Sequence, residues 1–235
     1  MLKTWLKKLP VDWTLNQRYD RQTRAVIKKV CKNDANTVDI GCHKGEVLDE
    51  ILKSAPSGQH FGFEPIPHFF EKLKKNYPAN CHFYDLALSN QKGETTFNYV
   101  VSNPSYSGIQ RRRYDKSGEV DQQIRVKMDL LDSVLPPDLK IDFIKIDVEG
   151  AEFLVLQGAE QTLKKWKPVV VFEHGLGGAD VYGVRPGQVF DFLQNCGLKI
   201  SLMGDWLKGK PAFSKNEFVR QFDEGLNYYF IAHAQ

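Results

Sequence analysis

The 235-residue chain has little cysteine, no long apolar run and almost no charge imbalance, and each shortage narrows the function classes open to it. Its four cysteines, Cys31, Cys42, Cys81 and Cys196, are scattered without a C-x-x-C pair. That spacing argues against a zinc knuckle or a disulfide framework and fits free thiols in a reducing, cytoplasmic setting. The opening MLKTWLKKLPVDW sets Leu2, Leu6 and Leu9 among lysines, an apolar run far too short for a signal-peptide core or a membrane span. A short basic helix touching lipid is the lesser reading beside packing on its own domain, and no stable membrane insertion is expected. With 32 basic and 29 acidic side chains the formal charge is only +3, so a nucleic-acid partner is not favoured. His60, His68, His82 and His233 show no ligand spacing, and there is no internal repeat.

What is present is an alternation of short apolar runs with longer helical stretches, the pattern of an α/β fold with a parallel sheet covered by helices on both faces. Strands are predicted over 37–41, 60–65, 81–88, 142–147 and 168–175, then at LKISLM and NYYFIAHA. Helices are predicted over 45–54, 68–77, 151–166 and 186–197. Residues 89–129 break the rhythm: TTFNYVV and QIRVKMD read as antiparallel strands around a polar stretch, an inserted hairpin or flap. The expected organisation is a helical extension over 1–36 and one catalytic domain over 37–235, with the flap at about 98–125.

In an open parallel sheet, ligands collect outside the carboxyl ends of the strands. Here those ends carry Asp39, Gly41, Glu64, Asp85, Asp147, Glu149, Glu173 and His174. Glu64, nineteen residues after Gly45 at the end of the second strand, stands where an acid accepts both hydroxyls of a ribose. The first turn, DIGCHKGE, is G-x-x-x-G and lacks the third glycine that admits a pyrophosphate, so a nucleoside without phosphates is expected. S-adenosylmethionine fits: ribose on Glu64, adenine amino group on Asp85, glycine-turn backbone against the methionine portion. The candidate cofactor set is Asp39, Gly41, Cys42, His43, Gly45, Glu64, Pro65, Asp85 and Asp147.

The series VDIGCHKG, FGFEP, DLALSN followed by KGETTF, LLDSVL, DFIKIDVEGAEFLVLQGA and PVVVFEH resembles the FkbM family of S-adenosylmethionine-dependent methyltransferases from about Thr37 to His174. The resemblance implies a Rossmann-like class I methyltransferase fold, with a mostly parallel seven-stranded sheet whose last strand is antiparallel. It also implies methylation of a hydroxyl on a sugar, glycan or polyketide-like product, hence a small-molecule or glycan acceptor. The family commonly has G-A-N-x-G in the first loop, where this chain has Cys42 and His43.

Methyl transfer to a hydroxyl needs alignment and a proton acceptor, and Asp147, Glu149, Glu173 and His174 are the catalytic candidates. Glu149 and Glu152 flank Gly150 at a helix start, where capping alone accounts for one of them. Lys145 reads as a structural partner of a neighbouring carboxylate. A divalent metal drawn to these acids is the less favoured alternative, and no residue is assigned as its ligand. RRR at 111–113, beside Tyr106 and Tyr114, reads as a solvated loop before it reads as a phosphate site; Ser105, Tyr106 and Ser107 are acceptor contacts if the flap closes, and the glycine loop 175–187 is a second lid. The rival functions are methylation of nucleic acid or protein, and a non-catalytic nucleoside-binding module.

Overall fold

The structure, a computed structural model, describes residues 14–112 and 118–234. In chain order, helix α1 (Leu15–Val30) leads into strand β1 (Thr37–Ile40), helix α2 (Glu46–Ser54), β2 (His60–Phe63), α3 (Pro67–Asn76), β3 (Cys81–Tyr84) and the short β4 (Leu86–Leu88). The hairpin strands β5 (Gly93–Val100) and β6 (Asp121–Asp129) follow, then α4 (Leu131–Val134), β7 (Phe143–Ile146), α5 (Glu152–Gly158), α6 (Glu160–Trp166) and β8 (Val169–Glu173). The chain closes with α7 (Pro186–Asn195), β9 (Lys199–Ser201), α8 (Met203–Leu207), α9 (Lys215–Asp223) and β10 (Tyr229–His233). The basic N-terminal segment 1–13 and residues 113–117 of the flap lie outside the described residues. No helix among the described residues is long and apolar enough to cross a membrane.

Seven strands form one sheet in the order β3-β2-β1-β7-β8-β10-β9, parallel except for β10, which runs antiparallel to both its neighbours. The order reverses between β1 and β7, where Asp39 pairs with Lys145 and Ile40 with Ile146. The central strands are buried on both faces, which is why they read as near-continuous apolar runs.

Alternation along the strands sorts the faces. Val38, Ile40, Phe61, Phe63, Ile144, Ile146, Val170, Phe172 and Phe230 join the core with α5, α6, α7 and α9. Phe143, Val171 and Ile231 face the other way, against α1 and α2. The odd-numbered residues of β1, β7, β8 and β10, including Asp39, Lys145 and Glu173, therefore lie on the α1 side.

Two expected elements divide. The run 81–88 was expected as one strand, but β3 stays in the main sheet while β4 pairs in parallel with β6 in a three-stranded sheet ordered β4-β6-β5. That sheet seats Phe97, Val126 and Met128 against Ile66 and Phe69 of the α3 region. The helix expected over 151–166 breaks at Ala159; Gly158 packs so closely on Ser89 that a Cβ would fall 2.0 Å from its carbonyl oxygen, and the amides beyond the break have another acceptor. Asp132 takes them, accepting from Gln161 N (2.8 Å), Thr162 N (2.9 Å) and Thr162 Oγ1 (2.7 Å). Asp132→Ala is expected to lose this cap and about 1–2 kcal/mol of stability, read as a lower urea midpoint at unchanged slope.

Candidate active site

The turn after β1 is held in left-handed backbone at three residues: Gly41 (φ 72°), His43 (φ 46°) and Gly45 (φ 86°). Gly41 has no alternative, since a Cβ there would sit 1.9 Å from the Asp147 carbonyl oxygen. At Gly45 a Cβ would meet the Tyr77 hydroxyl at 2.1 Å; that hydroxyl donates to Asp49 Oδ1 (2.8 Å) and lies 3.0 Å from Gly45 O. The strained His43 turns its amide onto Glu64 Oε2 at 2.8 Å, while Ile66 N donates to Oε1 at 2.9 Å.

Glu64 is 4% exposed, and burial lifts its carboxyl to about 7 although both amides pull the other way. Two amides fill half of a carboxylate's roughly four acceptor positions, so capacity remains toward the cavity it lines.

That cavity measures about 760 Å³, within the roughly 300–1,000 Å³ of small-molecule sites. Gly41, Cys42, His43, Glu64, Pro65, Asp147, Glu149 and Glu173 line it, so most of the candidate residues meet in one cleft. Cys42 is a buried thiol, pushed well above its usual range by burial and then by Asp39 and Glu64. Burial lowers His43, whose ring packs edge-on to Phe69 at 4.2 Å.

Four candidates are not brought to the cleft wall, and Gly45 is one of them, packed against Tyr77. Asp85 leaves the sheet where β3 gives way to β4, and its half-exposed carboxylate pairs with Lys127 at 3.3 Å. His174 follows Glu173 and so points to the opposite face. There it is 2% exposed and stacked on Phe222 (4.9 Å) and Phe218 (5.9 Å), with its ring pushed down to about 4 by burial. Asp39 is wholly buried beneath the turn, 3.5 Å from Lys145 Nζ, and burial raises its carboxyl while Lys145 opposes.

The acids of KIDVEGAE divide their tasks. Glu152, 2% exposed, accepts from Val148 N (2.9 Å) and Gly150 N (3.2 Å), bracing a turn in which Glu149 has φ 57° and Gly150 φ 105°. Burial brings its carboxyl to about 7 against the pull of those amides. Glu149 forms an ion pair with Arg112 of the hairpin, whose guanidinium lies 4.9 Å over the Tyr106 ring. Burial and then Asp147 raise Glu149 to about 8, with Arg112 opposing. Glu173 is pushed well above the ordinary carboxylate value by burial and then by Asp147, Glu152 and Glu149. Asp147 is half-buried, 3.4 Å from Lys145 Nζ. No group of three His, Cys, Asp or Glu among the described residues is arranged to hold a metal ion.

Several lining residues were not predicted. Asn16, Tyr19 and Thr23 of α1 close one side, fastened by Tyr19 Oη donating to Asn227 Oδ1 at 3.0 Å. Leu86, Ala87 and Leu88 form an apolar wall beyond Glu64, and Tyr228 and Tyr229 enter from β10. The pairing of Tyr229 with Glu173 follows from an antiparallel last strand, so the tyrosines had a signal; α1 had none.

The strand order, the glycine turn and the acid at the tip of β2 define a Rossmann-like class I methyltransferase fold. The model of the methyltransferase FkbM domain matches residues 39–200, and the chain belongs to that family. It is 28% identical over 161 residues to the 2-O-methyltransferase NoeI of Sinorhizobium fredii, covering 60% of this chain and 64% of that protein. It is 26% identical over 197 residues to the methyltransferase sdnD of Sordaria araneosa, covering 70% and 73%. The crystal structure of the methyltransferase FkbM from Methylobacillus flagellatus superposes with a TM-score of 0.53 at 14% identity, over 86% of this chain and 44% of that one.

Proposed function

We propose that the chain is an S-adenosylmethionine-dependent methyltransferase that methylates a hydroxyl oxygen on a small-molecule or glycan acceptor in the cytoplasm. The observation that carries this reading is the Glu64 carboxylate, pinned by two amides at the tip of β2 and opening into the same cleft as Asp147. The residues fit the donor: an acid with spare acceptor capacity for the ribose, an apolar wall at Leu86–Leu88 for the adenine, and an acidic cup for a cationic sulfur. The 2-O-methyltransferase relative supports oxygen as the acceptor atom.

When bound, the donor supplies an electrophilic methyl carbon. The chain orients the acceptor hydroxyl, and as oxygen gains the methyl its proton passes to the Asp147 carboxylate. Glu173, raised by burial and its acidic neighbours, lines the same cup. Arg111 and Arg112 pair with Asp121 (2.8 Å) and with Glu149, which supports a small acceptor over a nucleic-acid backbone. The buried thiols agree with a reducing compartment.

Incubation with the donor and a panel of methyl glycosides and small alcohols is expected to release S-adenosylhomocysteine and add one methyl group to an acceptor, read by mass spectrometry. Donor uptake in calorimetry with no product from any acceptor would favour the binding-module reading instead.

A further inference from the structure

We infer that Lys145 is a positioning residue for this reaction: its buried ammonium fixes the Asp147 carboxylate at the cleft wall and ties it to the donor turn through the Gly41 carbonyl. The inference rests on the methyltransferase reading above.

Lys145 is 6% exposed in the middle of the sheet, a costly place for an ammonium unless its charge is matched. Its Nζ donates to Gly41 O at 3.0 Å and lies 3.4 Å from Asp147 Oδ2 and 3.5 Å from Asp39 Oδ1. These contacts follow from the alternation: Lys145 and Asp147 share a face two residues apart, and parallel pairing sets Asp39 beside Lys145. Burial alone would lower the ammonium pKa, but Asp147 and Asp39 outweigh it and the net movement is upward.

If neutralising Asp39 were the whole task, the ammonium would have no need to reach the strand tip. It does reach it, and the carbonyl it meets belongs to the turn that approaches Asp147 too closely for any Cβ. One side chain thus links the donor turn to the proton acceptor.

The other charged groups facing Asp147 are mostly acids. Asp39 faces it from β1, Glu149 and Glu152 from the turn and α5, Glu173 from β8 and the Tyr229 phenol from β10; His43 stands in the first turn. Arg112 is committed to Glu149. Lys145 is the cation that contacts Asp147, and its bond to Gly41 O fixes where that carboxylate stands.

The test compares Lys145→Met with Asp39→Asn/Lys145→Met, the second removing the carboxylate that the first leaves buried and unpaired. In both, S-adenosylmethionine affinity by calorimetry is expected to stay within about threefold of wild type. At pH 7 kcat is expected to fall on the order of 100-fold while donor affinity holds, and Lys145→Arg should recover most of the lost kcat. An unchanged kcat, no recovery in Lys145→Arg, or a loss confined to donor affinity overturns the inference. Failure of the wild type to turn over any acceptor sinks the methyltransferase reading itself.

Discussion

Glu64→Ala is expected to weaken S-adenosylmethionine binding by on the order of 100-fold, the loss of two charge-assisted hydrogen bonds worth about 3 kcal/mol together. Isothermal calorimetry measures it, and unchanged affinity would remove the ribose from the tip of β2. The pH dependence is a sharper form of the same expectation. Only the ionised carboxyl accepts from both hydroxyls, and burial has brought Glu64 to about 7, so affinity should fall as pH drops from 8 to 6. The donor-free protein should behave inversely. A carboxyl raised in the folded state from its ordinary value of 4.5 contributes stability that is fully present below that value and is lost as pH rises through about 7. Glu64→Gln should therefore gain relative to wild type between pH 5 and 8, by on the order of 3 kcal/mol at the upper end. Thermal melts of the pair isolate this from the other raised acids, which both proteins share.

Asp147→Asn should leave donor affinity within about threefold and lower kcat by about 10²–10⁴, the usual contribution of a general base. Its neighbours give the variant a second signature. The charge of Asp147 is among the causes that hold Glu149 and Glu173 above their ordinary range, so removing it makes both easier to ionise. Residual activity that rises with pH would mean one of them has taken over the proton. Wild-type kcat in the variant would exclude Asp147 from proton transfer and leave alignment as the protein's contribution.

How far the site could be read in advance depended on the kind of interaction behind each residue. The tip of β2 was legible because Glu64 follows an apolar strand at a set distance from a glycine turn, a purely local relation. Glu173 and His174 are both legible at the end of one strand, and the period of two already separates them, since neighbouring residues of a strand point to opposite faces. Asp85 was placed on the rim because 81–88 reads as one strand. Nothing local announces that Leu86–Leu88 would find better partners in Lys127–Asp129 of the hairpin.

By itself the sequence determined the alternation of strands and helices, the inserted hairpin and the row of acids at the strand ends, since each depends on hydrophobic period and neighbouring residue type. The tertiary structure alone decided which of those acids open to the cavity and which brace it. Glu152 is spent on two amides of its own turn, Glu149 on an arginine 37 positions away in the chain, and Lys145 on a carbonyl 104 positions away. The physical reason is that a buried charge takes its character from whatever satisfies it, and those partners meet only when the sheet assembles.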